Sequence, residues 1–267
     1  MIKLNGKEVN FTKFSNNEVK LVLSKDEVIC NGHNTVDFIY EDDSNLIQLY
    51  ILKQYLSQFN VKGVDLYIQY MPYSRMDRSE NGVAFTLKYI SDLINSMNFE
   101  NVFIIEPHSD VCLATINNSK AIYITPNIVN NIVDRVGFSK EDDFLFFPDA
   151  GAMKRYSKMF PKYRYLVGFK SRDFDSGDID KLEILGNIKS DSKIIIVDDL
   201  CSGGRTFKMS AEKLKEVGCG NIYLVVAHCE NAIFDYGFLD DTNIEMVFTT
   251  DSIIKKQTHP KVNTQCL

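Results

Sequence analysis

No apolar stretch in these 267 residues is long enough to span a bilayer, and the opening MIKLNGKEVN has no apolar signal-peptide core. No Lys/Arg run is present, and the net charge of −6 argues against a dedicated nucleic-acid binder. The six cysteines, at 30, 112, 201, 219, 229 and 266, form no C-x-x-C pair, and several sit in apolar runs. That pattern reads as reduced intracellular thiols rather than a disulfide framework. No linker or low-complexity segment interrupts the chain. These absences predict a cytoplasmic protein with no membrane and no nucleic-acid partner. What remains is ordinary for a globular chain: 45% hydrophobic and 25% charged residues, long enough for one large domain or two medium ones.

Short apolar runs alternate with helical patterns. DLYIQYM (65–71), NVFIIEP (101–107), DFLFFPD (143–149), YRYLVGF (163–169), KIIIVDD (193–199) and NIYLVVAH (221–228) read as buried strands. Residues 44–59, 85–99, 126–137, 152–160 and 207–218 place apolar side chains at helical spacing, and Gly218 suits a helix C-terminus. Strand–helix repetition predicts an α/β fold of mostly parallel sheets flanked by helices. Two similar halves are expected, 1–122 and 123–267.

Ligands of such folds collect at the carboxyl ends of the strands. Polar clusters gather at those ends: residues 72–78, 106–110, 148–155 and 169–172, the last opening a polar loop that runs to Asp180. The fifth is IIIVDDLCSGGRTF (194–207), where a β-branched run ends in two carboxylates. Ionised carboxylates strongly prefer water or partners, so something beyond this strand end should want two acceptors. Ser202, Gly203, Gly204, Arg205 and Thr206 follow with hydroxyls, backbone N–H groups and a guanidinium, the equipment for gripping an anion.

The segments FSNNE (14–18), PYSRMDR (72–78), EPHSD (106–110), PDAGAMKR (148–155), FKSR (169–172), IIIVDDL (194–200) and TTDSI (249–253) resemble, in order and spacing, those of the ribose-phosphate pyrophosphokinases, the PRPP synthetase family. The resemblance implies two phosphoribosyltransferase-type, Rossmann-like halves. It also implies an ATP site, Mg2+, and transfer of a diphosphoryl group to the anomeric hydroxyl of a ribose. By the same resemblance His108 is an ATP-side metal ligand and Asp149 a second metal-linked carboxylate. Arg75 and Asp77 belong to an ATP-contacting loop. Phe14, Asn16 and Glu18 grip adenine from a neighbouring subunit, which implies a homo-oligomer sharing the ATP site. Lys170 and Arg172 are the catalytic cations that close over the phosphates. Asp198 and Asp199 receive the ribose hydroxyls, and residues 202–206 receive the 5′-phosphate. Each position has a plainer reading: Asp149 as a helix N-cap, FSNNE as an exposed turn, His108 as a loop histidine, Lys170 and Arg172 as solvated cations.

The chain departs from the family pattern in three places. Met76 stands where the family has Gln. The loop after the paired acids, usually Asp-Thr-Gly/Cys-Gly-Thr, is here Ser-Gly-Gly-Arg-Thr: the acid is lost, and Arg205 adds a phosphate donor. A wider, more cationic 5′ site suits a substituted 5′-phosphate, so ribose 5-phosphate and ADP-ribose stand equally as expected acceptors. Only thirteen residues precede Phe14, where the family carries a further strand–helix unit; a dimer is expected rather than the family's hexamer. Two other functions stay open: a plain phosphoribosyltransferase and a catalytically inactive, synthetase-like regulatory subunit.

Overall fold

The computed structural model describes residues 1–172, 179–186, 188–235, 237–240, 243–255 and 258–267, with the side chains of 170–172 and 179–182 excepted. The chain forms two compact units, Met1–Tyr123 and Ile124–Leu267. No helix among the described residues is long and apolar enough to cross a membrane.

In the first unit the chain order is β1 (Ile2–Leu4), β2 (Lys7–Glu8), β3 (Asn10–Lys13), β4 (Val19–Val22), β5 (His33–Phe38), α1 (Ser44–Leu56), β6 (Gly63–Ile68), α2 (Thr86–Ser96), β7 (Val102–Ile105), α3 (Asp110–Thr115) and β8 (Ser119–Ile122). The main sheet runs β2-β1-β5-β6-β7-β8, with β3 and β4 pairing apart as a hairpin. Strands β5 to β8 are parallel, while β1 adds antiparallel to β5. Period-two alternation decides the buried face of β6: Val64, Leu66 and Ile68 are buried while Asp65 and Tyr67 are not. Leu49, Leu52 and Leu56 of α1 follow at spacings of three and four and are fully buried against this sheet's core. Each such side chain contributes on the order of 1.5–3 kcal/mol.

The second unit continues with α4 (Thr125–Val133), β9 (Phe144–Phe147), α5 (Ala150–Tyr156), β10 (Tyr165–Arg172), β11 (Ile179–Leu185), β12 (Ile194–Cys201), α6 (Arg205–Glu216), β13 (Ile222–Cys229), β14 (Ile244–Thr250) and β15 (Val262–Gln265). Its sheet runs β11-β10-β9-β12-β13-β14-β15, parallel apart from the β10–β11 pair. The central strands are buried on both faces, as a parallel sheet between helices requires. Phe144, Phe146, Ile194 and Ile196 pack with Phe207, Ala211 and Leu214 of α6. The alternate residues Leu145, Phe147, Ile195 and Val197 pack with Ile128, Val129 and Ile132 of α4. Gly218, just past α6, has φ +86°, the left-handed stop its position in the sequence suggested.

The backbone differs from the sequence reading at FKSR. Instead of opening a loop, residues 169–172 prolong β10 and pair antiparallel with β11, Phe169 opposite Glu183 and Lys170 opposite Leu182. Beyond Val167 the backbone of this segment pairs with β11 alone, past the last residue paired with β9.

Candidate active site

Strand β12 carries the paired acids out of the core. Its burial falls from complete at Val197 to partial at Asp198, and Asp199 is again buried. The Asp199 amide donates to Asp198 Oδ1 at 2.9 Å, turning that carboxylate back over its own strand end. Across from the pair, α5 supplies Arg155, whose Nη1 lies 2.7 Å from Asp199 Oδ1 and 3.8 Å from Asp198 Oδ1. All three side chains are at least four-fifths buried (14%, 16% and 6% exposed for Arg155, Asp198 and Asp199).

Electrostatics follow from that burial. Desolvation pushes the Asp198 carboxyl well above the ordinary carboxylate range, and Asp199 and then Asp149 raise it further against the opposing pull of Arg155. Burial works against the Arg155 guanidinium too, yet Asp199 and Asp198 outweigh it and hold it above its ordinary value. The site is therefore acceptor-rich and short of positive charge, and hydroxyl donors or a cation would relieve it.

Asp149 takes the N-cap of α5, accepting the Ala152 amide on Oδ1 at 2.9 Å. The plainer reading of Asp149 is thus realised, and its charge still reaches Asp198. Among the described residues no group of three or more His, Cys, Asp or Glu side chains is arranged to cage a metal ion. A Mg2+ ion does not need one, because it keeps several waters and takes one or two carboxylates beside substrate phosphates. The clustered negative charge of Asp149, Asp198 and Asp199 fits such an ion.

The loop after β12 is shaped from within. Gly204 has φ +79° at the N-cap of α6, and a Cβ there would come within 2.5 Å of the Phe238 ring. Glycine is demanded by the turn and by Phe238, beside whatever space it leaves for a ligand. Ser202 donates its hydroxyl to Glu230 Oε2 at 2.5 Å, and the Glu230 amide donates to Cys201 O at 2.8 Å. The acid that the loop lacks in sequence is thus present in space, delivered from the end of β13. Arg205 is exposed and Thr206 half-buried at the first turn of α6, whose leading amides suit an anion. Behind the loop, buried His228 places Nδ1 2.7 Å from Ser252 Oγ, and Thr250 donates to Ala227 O at 2.7 Å, so TTDSI secures the end of β13.

In the first unit the expected ATP-side residues stand at the carboxyl ends of neighbouring parallel strands. Arg75 and Asp77 follow β6, exposed and half-buried respectively, and His108 follows β7, half-buried. Between β7 and His108, Glu106 is buried with φ +44°, an unfavourable conformation for a non-glycine residue. FSNNE is the β3–β4 turn: Asn16 Oδ1 accepts the Glu18 amide at 3.2 Å, and Phe14 is 57% exposed. Lys170 and Arg172 lie on the backbone of β10; their side chains lie outside the described residues.

Two residues of the site carried no role in the sequence reading. Arg155 was visible only as the last letter of PDAGAMKR, and Glu230 lies just past the apolar run of β13. A charged residue directly beyond a buried strand, like the Asp-Asp pair itself, is the signal that points to Glu230.

No family model matches the chain. Curated proteins are similar in sequence: the ribose-phosphate pyrophosphokinase of Saccharolobus solfataricus is 25% identical over 196 residues, 71% of this chain and 65% of that protein. The ribose-phosphate pyrophosphokinase of Sulfurisphaera tokodaii is 25% identical over 218 residues, 79% of this chain and 72% of its own length. The match to the first of these spans a little under two thirds of the relative. Among solved structures, a phosphoribosylpyrophosphate synthetase from Mycobacterium smegmatis shares the fold, with a TM-score of 0.78 and 15% identity over 97% of this chain and 86% of that one. In sequence the chain is similar to ribose-phosphate pyrophosphokinases, and in fold to a phosphoribosylpyrophosphate synthetase.

Proposed function

We propose that the chain is a Mg2+- and ATP-dependent diphosphokinase acting on a ribose 5-phosphate-type acceptor. The anomeric 1-hydroxyl oxygen attacks the β-phosphorus of ATP and the bond from that phosphorus to the α,β-bridging oxygen breaks. AMP leaves with the electron pair, and the hydroxyl proton is released. The observation that carries this reading is the Asp198–Asp199 pair, short of positive charge and facing Arg155, directly above a glycine-turned loop that opens a helix. A diol donates to the carboxylates; the amides and Arg205 at the loop take the 5′-phosphate. The named activity of the curated relatives supports the same class.

The remaining roles follow the family resemblance. Phe14, Asn16 and Glu18 would hold the adenine of a second copy in a homo-oligomer, with Arg75, Asp77 and His108 on the ATP phosphates. By that resemblance His108 is an ATP-side metal ligand and Asp149 a metal-linked carboxylate; Mg2+, when bound, would neutralise charge on the transferring phosphates. Phosphoryl transfer needs mainly positioning and charge stabilisation, and Lys170 and Arg172 on extended backbone are suited to supply it. The acceptor is ribose 5-phosphate, giving PRPP, or ADP-ribose, giving its 1-diphosphate; the reaction belongs in the cytoplasm. The test is to incubate the purified chain with ATP, Mg2+ and each acceptor and read products by mass. A gain of two phosphoryl units on either acceptor supports the reading, and no gain on both overturns it.

A further inference from the structure

The loop leaving β6 starts in a conformation that non-glycine residues rarely adopt. Tyr73 has φ +61°, where a Cβ crowds its own backbone. Its hydroxyl donates to Asp43 Oδ1 at 2.5 Å. The same oxygen accepts the Tyr40 hydroxyl at 2.7 Å, and the two rings meet edge-on with centroids 6.3 Å apart. The Tyr73 and Tyr40 hydrogen bonds hold the Asp43 carboxyl below its ordinary range. Burial, then the bond to Asp43, keeps the proton on Tyr40.

Placement gives this cluster its interest. Tyr40 follows β5, Tyr73 follows β6, and Asp43 stands immediately before α1 without capping it. Strands β5 and β6 are parallel neighbours, so one carboxylate ties together two loops at the carboxyl edge of adjacent strands. The main chain then turns back on Tyr73 itself, with the Met76 amide donating to Tyr73 O at 2.9 Å. That turn carries Arg75 outward. Whatever fixes Tyr73 therefore fixes the direction of Arg75 and the start of the segment leading to Asp77.

We propose that Tyr73, held by Asp43 together with Tyr40, is a positioning residue that orients the 75–77 turn toward the phosphates of the nucleotide. The inference rests on the diphosphokinase reading for its ligand and on the hydrogen-bond geometry for its mechanism. Tyr73→Phe keeps the ring and removes the donor. It is expected to raise the KM for ATP about tenfold while kcat stays within about twofold and the acceptor KM is unchanged. Asp43→Ala, which removes the acceptor, should do the same, and the double variant should be no worse than either single one, because both cut the Tyr73–Asp43 connection. A second measurement needs no turnover: trypsin cleavage after Arg75, exposed at the tip of the turn, should be several-fold faster in Tyr73→Phe at an unchanged melting temperature. An unchanged ATP KM with unchanged cleavage overturns the proposal, as does a parallel loss in every kinetic constant with a lowered melting temperature. If the wild type turns over no acceptor, the diphosphokinase reading falls; the trypsin rate then upholds or overturns the strap by itself.

Discussion

Arg155 Nη1 lies 2.7 Å from Asp199 Oδ1 and 3.8 Å from Asp198 Oδ1, so one guanidinium serves two carboxylates at the end of a central strand. Arg155→Ala would leave both acids in a water-poor site without it. Breaking a buried pair in this way costs about 3–5 kcal/mol, which urea unfolding will register as a lowered midpoint. Arg155→Lys keeps the charge and loses the planar fork, and should fall between the two. An alanine variant within about 1 kcal/mol of wild type would mean that the pair is served from elsewhere.

Asp198 should weaken the fold while serving the site. Burial, with Asp199 and Asp149, raises its carboxyl well above the ordinary range. The folded chain then binds this proton more tightly than the unfolded chain, so the group's contribution to stability is lost as pH rises from about 4 toward its folded value. Asp198→Asn is expected to melt above wild type at neutral pH, by about 2–4 °C for each kcal/mol relieved, with the gap closing near pH 4. Turnover should fall with both acceptors alike, since both present the same ribose hydroxyls. A gap that widens toward acid would contradict the assignment.

Acceptor choice should lie in the loop, and Glu230 changes how that is tested. Restoring the family-like loop with Ser202→Asp, Gly203→Thr and Arg205→Gly would set a second carboxylate beside Glu230, which now accepts the Ser202 hydroxyl. The same exchange carrying Glu230→Gln removes that conflict. It is expected to move the ratio of kcat/KM toward ribose 5-phosphate and away from ADP-ribose by about one to two decades, one phosphate-directed charged hydrogen bond having been removed. Without Glu230→Gln the loop variant should be less stable and less active. An unmoved ratio would place acceptor selection outside residues 202–206.

Strands buried on both faces announce themselves, and FLFF, IIIV and YLVVA were legible in the sequence because every residue in them is apolar. Strand β5 was not, since HNTVDF opens on polar residues. Its Asn34 is fully buried and bridges to Asn5 and to the main chain of Ile29, a long-range arrangement that no local pattern carries. The short elements β1 to β4 and β15, two to four residues each, are equally hard to read: their partners, not their composition, make them strands. At the site, Asp198 and Asp199 were readable as acids leaving a core strand. Arg155 reaches them from α5, and Glu230 reaches Ser202 from the end of β13; only the packing of α5 and β13 around β12 brings them there.

The central claim is transfer of a diphosphoryl group, and the nucleotide left behind tests it most directly. The purified chain, given ATP, Mg2+ and an acceptor, should release AMP in equal amount to the acceptor consumed, because the bond broken joins the α- and β-phosphates. Acceptor-dependent ADP in that stoichiometric place would mean transfer of a single phosphoryl group and would contradict the account.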